Sequence, residues 1–135
     1  MDKIIGLGNA LVDALAIIED DNILTEMQLP KGSMTLIDED KFLKISEYFS
    51  RMETHLANGG SAGNAIRAMA CLGAGTGFIG KVSNDFYGNF FRDSLLERGT
   101  EANLLLSTTL PSGVASTFLL MGSVLSALIW GRLLH

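Results

Sequence analysis

The sequence predicts an α/β fold in which strands alternate with helices around a largely parallel sheet. Three observations lead to this prediction. Short apolar runs that end at glycine or polar residues, such as residues 3–8 and 75–82, are typical of buried strands. Between such runs, apolar residues recur at spacings of three and four, as on one face of an amphipathic helix. The chain has 135 residues, 47% hydrophobic and 19% charged, which suits one folded domain or part of a larger one.

The strands are predicted from their apolar runs and from the breakers that separate these runs. The first run ends in glycines, and residues 33–38 alternate between apolar and polar positions. The five predicted strands are residues 3–8, 14–19, 33–38, 75–82 and 102–108.

Two helices are predicted before residue 58. The first, at residues 20–29, is short and is stopped by Pro30. The second follows Asp38, whose side chain can cap its first turn. The apolar face of this second helix carries Phe42, Ile45, Phe49 and Met52.

Two further helices follow. The third begins in the glycine-rich residues 58–64. Its core-facing residues are predicted to be Ala62, Ile66, Met69 and Leu72. The fourth spans residues 84–99, and Gly99 is a typical residue just past a helix end.

Composition excludes several classes of function. The formal net charge is −5 and no Lys/Arg cluster is present, so a nucleic-acid partner is not expected. Cys71 is the single cysteine and cannot form an internal disulfide. His55 and His135 lack the spacing of a metal pair, so they are expected at the surface and no metal site is predicted. Residues 1–13 do not resemble a signal peptide, which favours a cytoplasmic protein.

The stretch NGGSAGNAIRAMACLG, residues 58–73, is the first candidate binding site. A helix start exposes about four unpaired backbone N–H groups and the positive end of the helix dipole. Glycines at that point allow a polar or anionic ligand to approach the backbone closely. The candidate residues are Gly59, Gly60, Ser61 and Asn64, although Asn64 could instead serve only as a helix cap.

Polar side chains also follow the first predicted strand, in GNALVD. In open α/β sheets, ligands bind outside the carboxyl ends of the strands, which makes Asn9 and Asp13 candidates. Asp13 lies among apolar residues, and burying a carboxylate without a partner is expensive. Two adjacent hydroxyl groups of a ligand would satisfy it. The alternative is a solvent-facing turn or a helix cap.

A supporting turn is predicted in GKVSNDFYG, where Gly80, Asp85 and Gly88 follow a strand. Asp85 could simply cap the following helix. The glycine-rich residues 58–64 are not a phosphate-binding P-loop, because no lysine follows at the required position.

The order GN-x3-D, then GG-S-x-x-N, then G-x-V-x-x-D-x-x-G resembles the N-terminal half of the ribokinase-like, or PfkB, sugar and nucleoside kinases. The resemblance runs from about residue 3 to residue 117. GNALVDALAIIEDD and LPKGSMTLIDED are similar to the adenosine-kinase-like branch. The resemblance implies a three-layer α/β/α fragment, residues 1–117, with part of a small β-lid. The implied lid segments are residues 14–19, 33–38 and 113–118.

The resemblance also implies roles for the candidate residues. Asn9 and Asp13 would bind sugar hydroxyls, and the glycine-rich residues, including Ser61 and Asn64, would line the same site. Phosphate would come from ATP with Mg²⁺, and lid strands would support a homodimer. The family's catalytic aspartate lies in a later D-T-x-G-A-G-D motif, which this sequence lacks. No catalytic residue is therefore expected here, and this chain alone is expected neither to bind ATP nor to be active.

The tail, residues 118–135, has an unusual composition. Beyond Glu101 the only charged residue is Arg132, and residues 114–130 are apolar or small. That length reaches the roughly 17-residue lower limit for a membrane helix, but no basic flank precedes it. When synonymous codons are chosen for residues 118–135 and read from the third base of the Phe118 codon, they give SPDGERTFGTYLGAAAS, a family-like continuation. We therefore expect an out-of-frame tail, with an authentic tail or anchor as the alternative.

Three functions remain open on the sequence alone. The first is the substrate-binding half of an ATP-dependent phosphotransferase that acts on a sugar or nucleoside hydroxyl. The second is a non-catalytic remnant that binds the same ligands without turnover. The third is a protein tethered to a membrane through its apolar tail.

Overall fold

The computed structural model describes the backbone of residues 2–120 and 123–130 and the side chains of residues 2–120. The predicted α/β class is confirmed, with strands and helices alternating over most of the chain. In chain order, the elements are β1 (Ile4–Leu7), β2 (Leu11–Ile18), α1 (Asn22–Glu26), β3 (Ser33–Leu36), α2 (Glu39–Ser50), β4 (Thr54–Gly59), α3 (Ser61–Cys71), β5 (Thr76–Ser83), α4 (Phe86–Glu97), β6 (Thr100–Ser107), β7 (Gly113–Leu120) and β8 (Ser123–Trp130).

The chain divides into two compact units, of which the first comprises the described residues 2–12 and 57–113. Its sheet is parallel, with the strand order β1-β5-β6. Helix α3 packs on β1 and β5, and α4 packs on β5 and β6. Phe78 and Phe91 form the centre of the core, with ring centroids 5.3 Å apart and almost no exposure. Ile66 of α3 is buried as predicted.

The second unit comprises residues 13–56, 114–120 and 123–130. It holds most of a five-stranded sheet with the order β3-β8-β7-β2-β4, in which β7 and β8 are antiparallel and β3 and β8 parallel. Residues on α2 and β7 supply its core, where the rings of Phe49 and Phe118 lie 5.2 Å apart and Ile45 is fully buried. The three predicted lid segments lie in or beside β2, β3 and β7 of this sheet.

The second helix confirms the predicted cap and most of the predicted face. The backbone N–H of Lys41 donates to Asp38 Oδ1 at 2.9 Å, which fixes the first turn of α2. Ile45 and Phe49 are buried, whereas Phe42 is half-buried. Met52 lies beyond the last residue of the helix.

Several boundaries predicted from the sequence are wrong. Helix α1 covers only five residues rather than residues 20–29. Strand β2 begins at Leu11, so Asp13 lies inside a strand and not in a turn. Strand β4 has no counterpart among the predicted elements. Leu72 is 87% exposed, because it caps the C-terminus of α3 instead of facing the core.

The tail begins inside a strand and continues into another. Residues 118–120 complete β7, and β8 pairs with β7 and with β3, for example Met34 with Ala127. Residues 121–122 and 131–135 lie outside the described residues, so that part of the predicted tail is not described. Among the described residues no helix is both long enough and apolar enough to cross a membrane. The out-of-frame origin of residues 118–135 stays a prediction.

Candidate functional site

The site begins where β4 turns into α3. Gly60 is the N-cap of α3 and has φ +80°, a backbone conformation that favours glycine. As a glycine, this N-cap residue has no side chain with which to cap the first turn of the helix. A Cβ atom on Gly60 would lie 2.7 Å from the carbonyl oxygen of Asn9. Glycine therefore allows the backbone after β1 to approach the start of α3 directly.

Further glycines hold the segment that follows β1. A Cβ atom on Gly8 would lie 2.6 Å from the Cβ atom of Ala62, in the first turn of α3. Added Cβ atoms on Gly80 and Gly113 would each lie 3.2 Å from a carbonyl oxygen of this segment, that of Gly8 and that of Ala10 respectively. Close backbone packing from three directions thus fixes the position of Asn9.

The polar groups of the loop face outward. Ser61 and Asn64 are exposed, Asn9 and Gly60 are half-buried, and Gly59 is buried. The backbone N–H of Asn64 donates to the Gly60 carbonyl oxygen at 2.9 Å, so the helix is regular from its first turn. These five predicted residues come together in the first unit. A helix N-terminus with exposed polar groups attracts acceptor oxygens and negative charge.

Asp13 is the remaining predicted binding residue. It is a half-buried residue of β2 and belongs to the second unit, whereas the glycine loop belongs to the first. The alternative that placed it in a solvent-facing turn or at a helix cap is wrong, because its backbone is in a strand.

The predicted supporting turn has a larger role than a helix cap. Asp85 does cap α4, since the N–H of Gly88 donates to its Oδ1 at 2.8 Å. Its Oδ2 accepts a second bond, at 2.9 Å, from the N–H of Ser112. The Ser112 hydroxyl oxygen accepts from the N–H of Ser83 at 2.8 Å. Asp85 therefore joins the start of α4 to the segment that leads into β7.

Two buried polar residues near the site, Ser112 and Asn58, are not predicted from the sequence. Ser112 is almost fully buried but stands 27 residues from Asp85, and no local pattern connects them. Asn58 is buried at the end of β4, and its side-chain Nδ2 donates to the Phe91 carbonyl oxygen at 3.0 Å. Burial also raises the pKa of Tyr87, with a smaller contribution from the charge of Asp85.

A resident metal does not fit the described residues. Among residues 2–120, no three carboxylate, imidazole or thiol groups lie close enough together to hold a metal ion. His55 and Cys71 are both exposed, and His135 lies outside the described residues. The described residues therefore offer no cluster of three side-chain ligands for a metal ion.

The fold and the glycine loop define a class of protein. The sequence matches the pfkB family of carbohydrate kinases over residues 35–122, and the chain belongs to this family. This confirms the resemblance drawn from the motifs. No curated protein matches the chain.

Solved structures extend the likeness over nearly the whole chain. Adenosine kinase from Sinorhizobium meliloti is 30% identical, with a TM-score of 0.74 over 98% of this chain and 40% of its own. A probable sugar kinase from Rhizobium etli CFN 42 is 28% identical, with a TM-score of 0.76 over 97% of this chain and 39% of its own.

Anopheles gambiae adenosine kinase, in complex with P1,P4-di(adenosine-5) tetraphosphate, is similar in fold. It is 23% identical, with a TM-score of 0.80 over 93% of this chain and 38% of its own. The chain thus spans about two fifths of the length of the structures that it matches.

Proposed function

We propose that this chain is the substrate-binding part of a kinase that transfers phosphate from ATP to a hydroxyl of a sugar or nucleoside. The observation that carries the proposal is the backbone approach at Gly60, whose φ of +80° brings the start of α3 against Asn9. The loop lies within the residues that match the pfkB family of carbohydrate kinases, and glycines at a helix start let a ligand approach the backbone. Adenosine kinases and a sugar kinase among the similar structures support this substrate class.

Each candidate residue has a proposed part in binding. The Asp13 carboxylate accepts hydrogen bonds from two adjacent hydroxyls of the ligand. Asn9 and Asn64 can both donate and accept, so they orient the same ligand. Gly59 and Gly60 permit close approach to the backbone, and Ser61 offers a hydroxyl at the helix start.

Phosphoryl transfer needs groups that this chain does not supply. ATP with Mg²⁺ would provide the phosphoryl group, and positioning plus electrostatic stabilisation would do most of the catalysis. The sequence has no D-T-x-G-A-G-D motif to provide a general base. We therefore propose that the chain by itself binds its ligand without turnover, as a binding remnant would.

Calorimetric titration tests the proposal. We expect the unaltered chain to bind at least one of adenosine, ribose and fructose, and Asp13→Asn to weaken that binding at least tenfold. Asp93→Asn is the matched control, because Asp93 is exposed and, within the part of the chain that the structure describes, pairs with the neighbouring Arg92. Failure of all three ligands to bind, or equal loss in both variants, would overturn the proposal. A phosphate-transfer assay with ATP and Mg²⁺ should show no turnover.

The surroundings of the protein are proposed on the same basis. We propose that the protein is cytoplasmic. We also propose that it has no nucleic-acid partner, because its net charge of −5 is unfavourable for binding a phosphate backbone. A homodimer through the lid strands is supported by Met34 and Leu36 of β3, which are 68% and 70% exposed. Analytical sedimentation of Met34→Lys and of the unaltered chain tests the homodimer, because the variant should shift the monomer–dimer equilibrium toward monomer.

A further inference from the structure

Asn58 lies directly before the glycine loop and is 8% exposed. It is the last residue but one of β4, followed by Gly59 and by Gly60, the N-cap of α3. A buried amide at this point is unusual, because polar side chains inside a core need hydrogen-bond partners for every buried atom. The question is therefore what the amide group does there.

Only one end of the amide is satisfied. The Asn58 Nδ2 atom donates to the Phe91 carbonyl oxygen on α4 at 3.0 Å. Its Oδ1 atom is buried and has no hydrogen-bond partner among the described residues. Such an acceptor destabilises the folded state, whereas leucine, of similar size, would carry no such penalty. The benefit of the amide must therefore lie in the bond that its donor end makes.

Phe91 of α4 contributes both its backbone and its ring to the surroundings of the glycine loop. Its ring packs against Phe78 in the core of the first unit. Gly63, in the first turn of α3, faces that aromatic pair, since a Cβ atom there would lie 3.8 Å from Phe91 Cζ and 3.9 Å from Phe78 Cε2. The loop is thus held before its first glycine by a bond to the Phe91 backbone. It is followed by Gly63, whose missing Cβ atom leaves room beside the Phe91 ring.

We propose that Asn58 is a positioning residue that orders residues 59–62 by tying the end of β4 to α4. The side chain does not touch the ligand, because its unpaired oxygen is closed to solvent. It acts through the backbone of Gly59 and Gly60. The expected effect on ligand affinity rests on the proposed function, whereas the ordering of the loop does not.

The test separates loop order from global stability. Asn58→Leu removes both the tie and the unpaired oxygen, so the denaturation midpoint should stay the same or rise. Hydrogen exchange at the amide of Asn64, which donates to the Gly60 carbonyl oxygen, should become at least tenfold faster, because the loop opens locally. Thr76→Val is the matched control. In the unaltered chain the buried hydroxyls of Thr76 and Thr100 are 2.8 Å apart, and this substitution leaves the Thr100 hydroxyl without that partner.

The control should lower the midpoint and leave local exchange at the loop unchanged. A purely structural role for Asn58 predicts the opposite result, a lower midpoint in Asn58→Leu with loop exchange no faster than in the unaltered chain, and this outcome overturns the proposal. In parallel, adenosine and ribose should bind Asn58→Leu at least tenfold more weakly than the unaltered chain. If the unaltered chain binds none of adenosine, ribose and fructose, the proposed function fails, while the exchange data still decide the role of Asn58.

Discussion

Gly88, in the first turn of α4, gives the sharpest test of the packing. A Cβ atom at this position would lie 2.0 Å from the Ser83 carbonyl oxygen and 2.7 Å from the Ser112 hydroxyl oxygen. The first distance is about 1.4 Å shorter than the 3.4 Å at which ordinary contact begins. The Ser83 oxygen is a backbone atom, so it cannot move aside as a flexible side chain could. Gly88→Ala therefore has to move the end of β5, the start of α4, or both.

The cost of Gly88→Ala can be worked from these contacts. Overpacking costs about 1–3 kcal/mol, and displacing Gly88 N from Asp85 Oδ1 costs about 1 kcal/mol of cap energy. Alanine returns about 1 kcal/mol in helix propensity. The free energy of unfolding should therefore fall by about 1–3 kcal/mol. In urea this corresponds to a midpoint lower by roughly 1 M.

Gly63→Ala is the matched control for Gly88→Ala, since both glycines lie in the first turn of a helix in the first unit. A Cβ atom on Gly63 meets only ordinary contacts, at 3.8 Å or more. This variant should be neutral or stabilising by about 0.4–1 kcal/mol. Equal midpoints for the two variants in urea denaturation would refute the packing described at Gly88.

Three further changes test the cluster, the second unit and the loop. Asp85→Ala removes the acceptor from two backbone N–H groups and should cost about 2–4 kcal/mol in urea denaturation, whereas Asp85→Asn, which keeps one acceptor oxygen, should cost about half; equal losses would contradict this. The Tyr48 hydroxyl donates to Glu26 at 2.6 Å, and this bond raises the pKa of Tyr48 above 10.0. The raised pKa means that the stabilising bond is present below pH 10 and is lost as pH rises through the folded value. Tyr48→Phe should therefore be less stable than the unaltered chain below pH 10 and should lose that disadvantage as pH rises well above it; a pH-independent difference would contradict the assignment. Gly60→Ala should destabilise by about 1–3 kcal/mol, because φ is +80° and Cβ would meet the Asn9 carbonyl, and wild-type stability would argue against that approach.

Local sequence patterns were sufficient to predict the elements whose formation depends mainly on nearby residues. Apolar runs located β1, β5 and β6, and the acidic residues Asp38 and Asp85 located two helix starts, because a cap acts within three residues. Strand β4 was missed because THLANG alternates exposed with half-buried residues and contains few strong strand formers. Its identity as a strand depends on its pairing in the sheet, which no local pattern records.

The candidate site was predictable in part for the same reason. The glycines of residues 58–64 predicted a helix start, and Gly60 does adopt a positive φ there. The contacts that hold the loop and the neighbouring turn join distant parts of the chain. Asn58, before the loop, binds a carbonyl 33 residues away, and Asp85, in the turn before α4, binds an N–H 27 residues away. Such long-range bonds follow from the packing of α4 and not from spacing along the sequence.

The central claim is that the glycine loop binds a sugar or nucleoside. Amide chemical-shift mapping tests it most directly, with the isotope-labelled chain titrated with adenosine and with ribose. The account predicts saturable shifts concentrated at Asn9, at Asp13 and at residues 59–64, with little change at the distant strand residues Thr76 and Thr100. Saturable shifts confined to other residues, or no shifts at millimolar concentrations of either ligand, would contradict it.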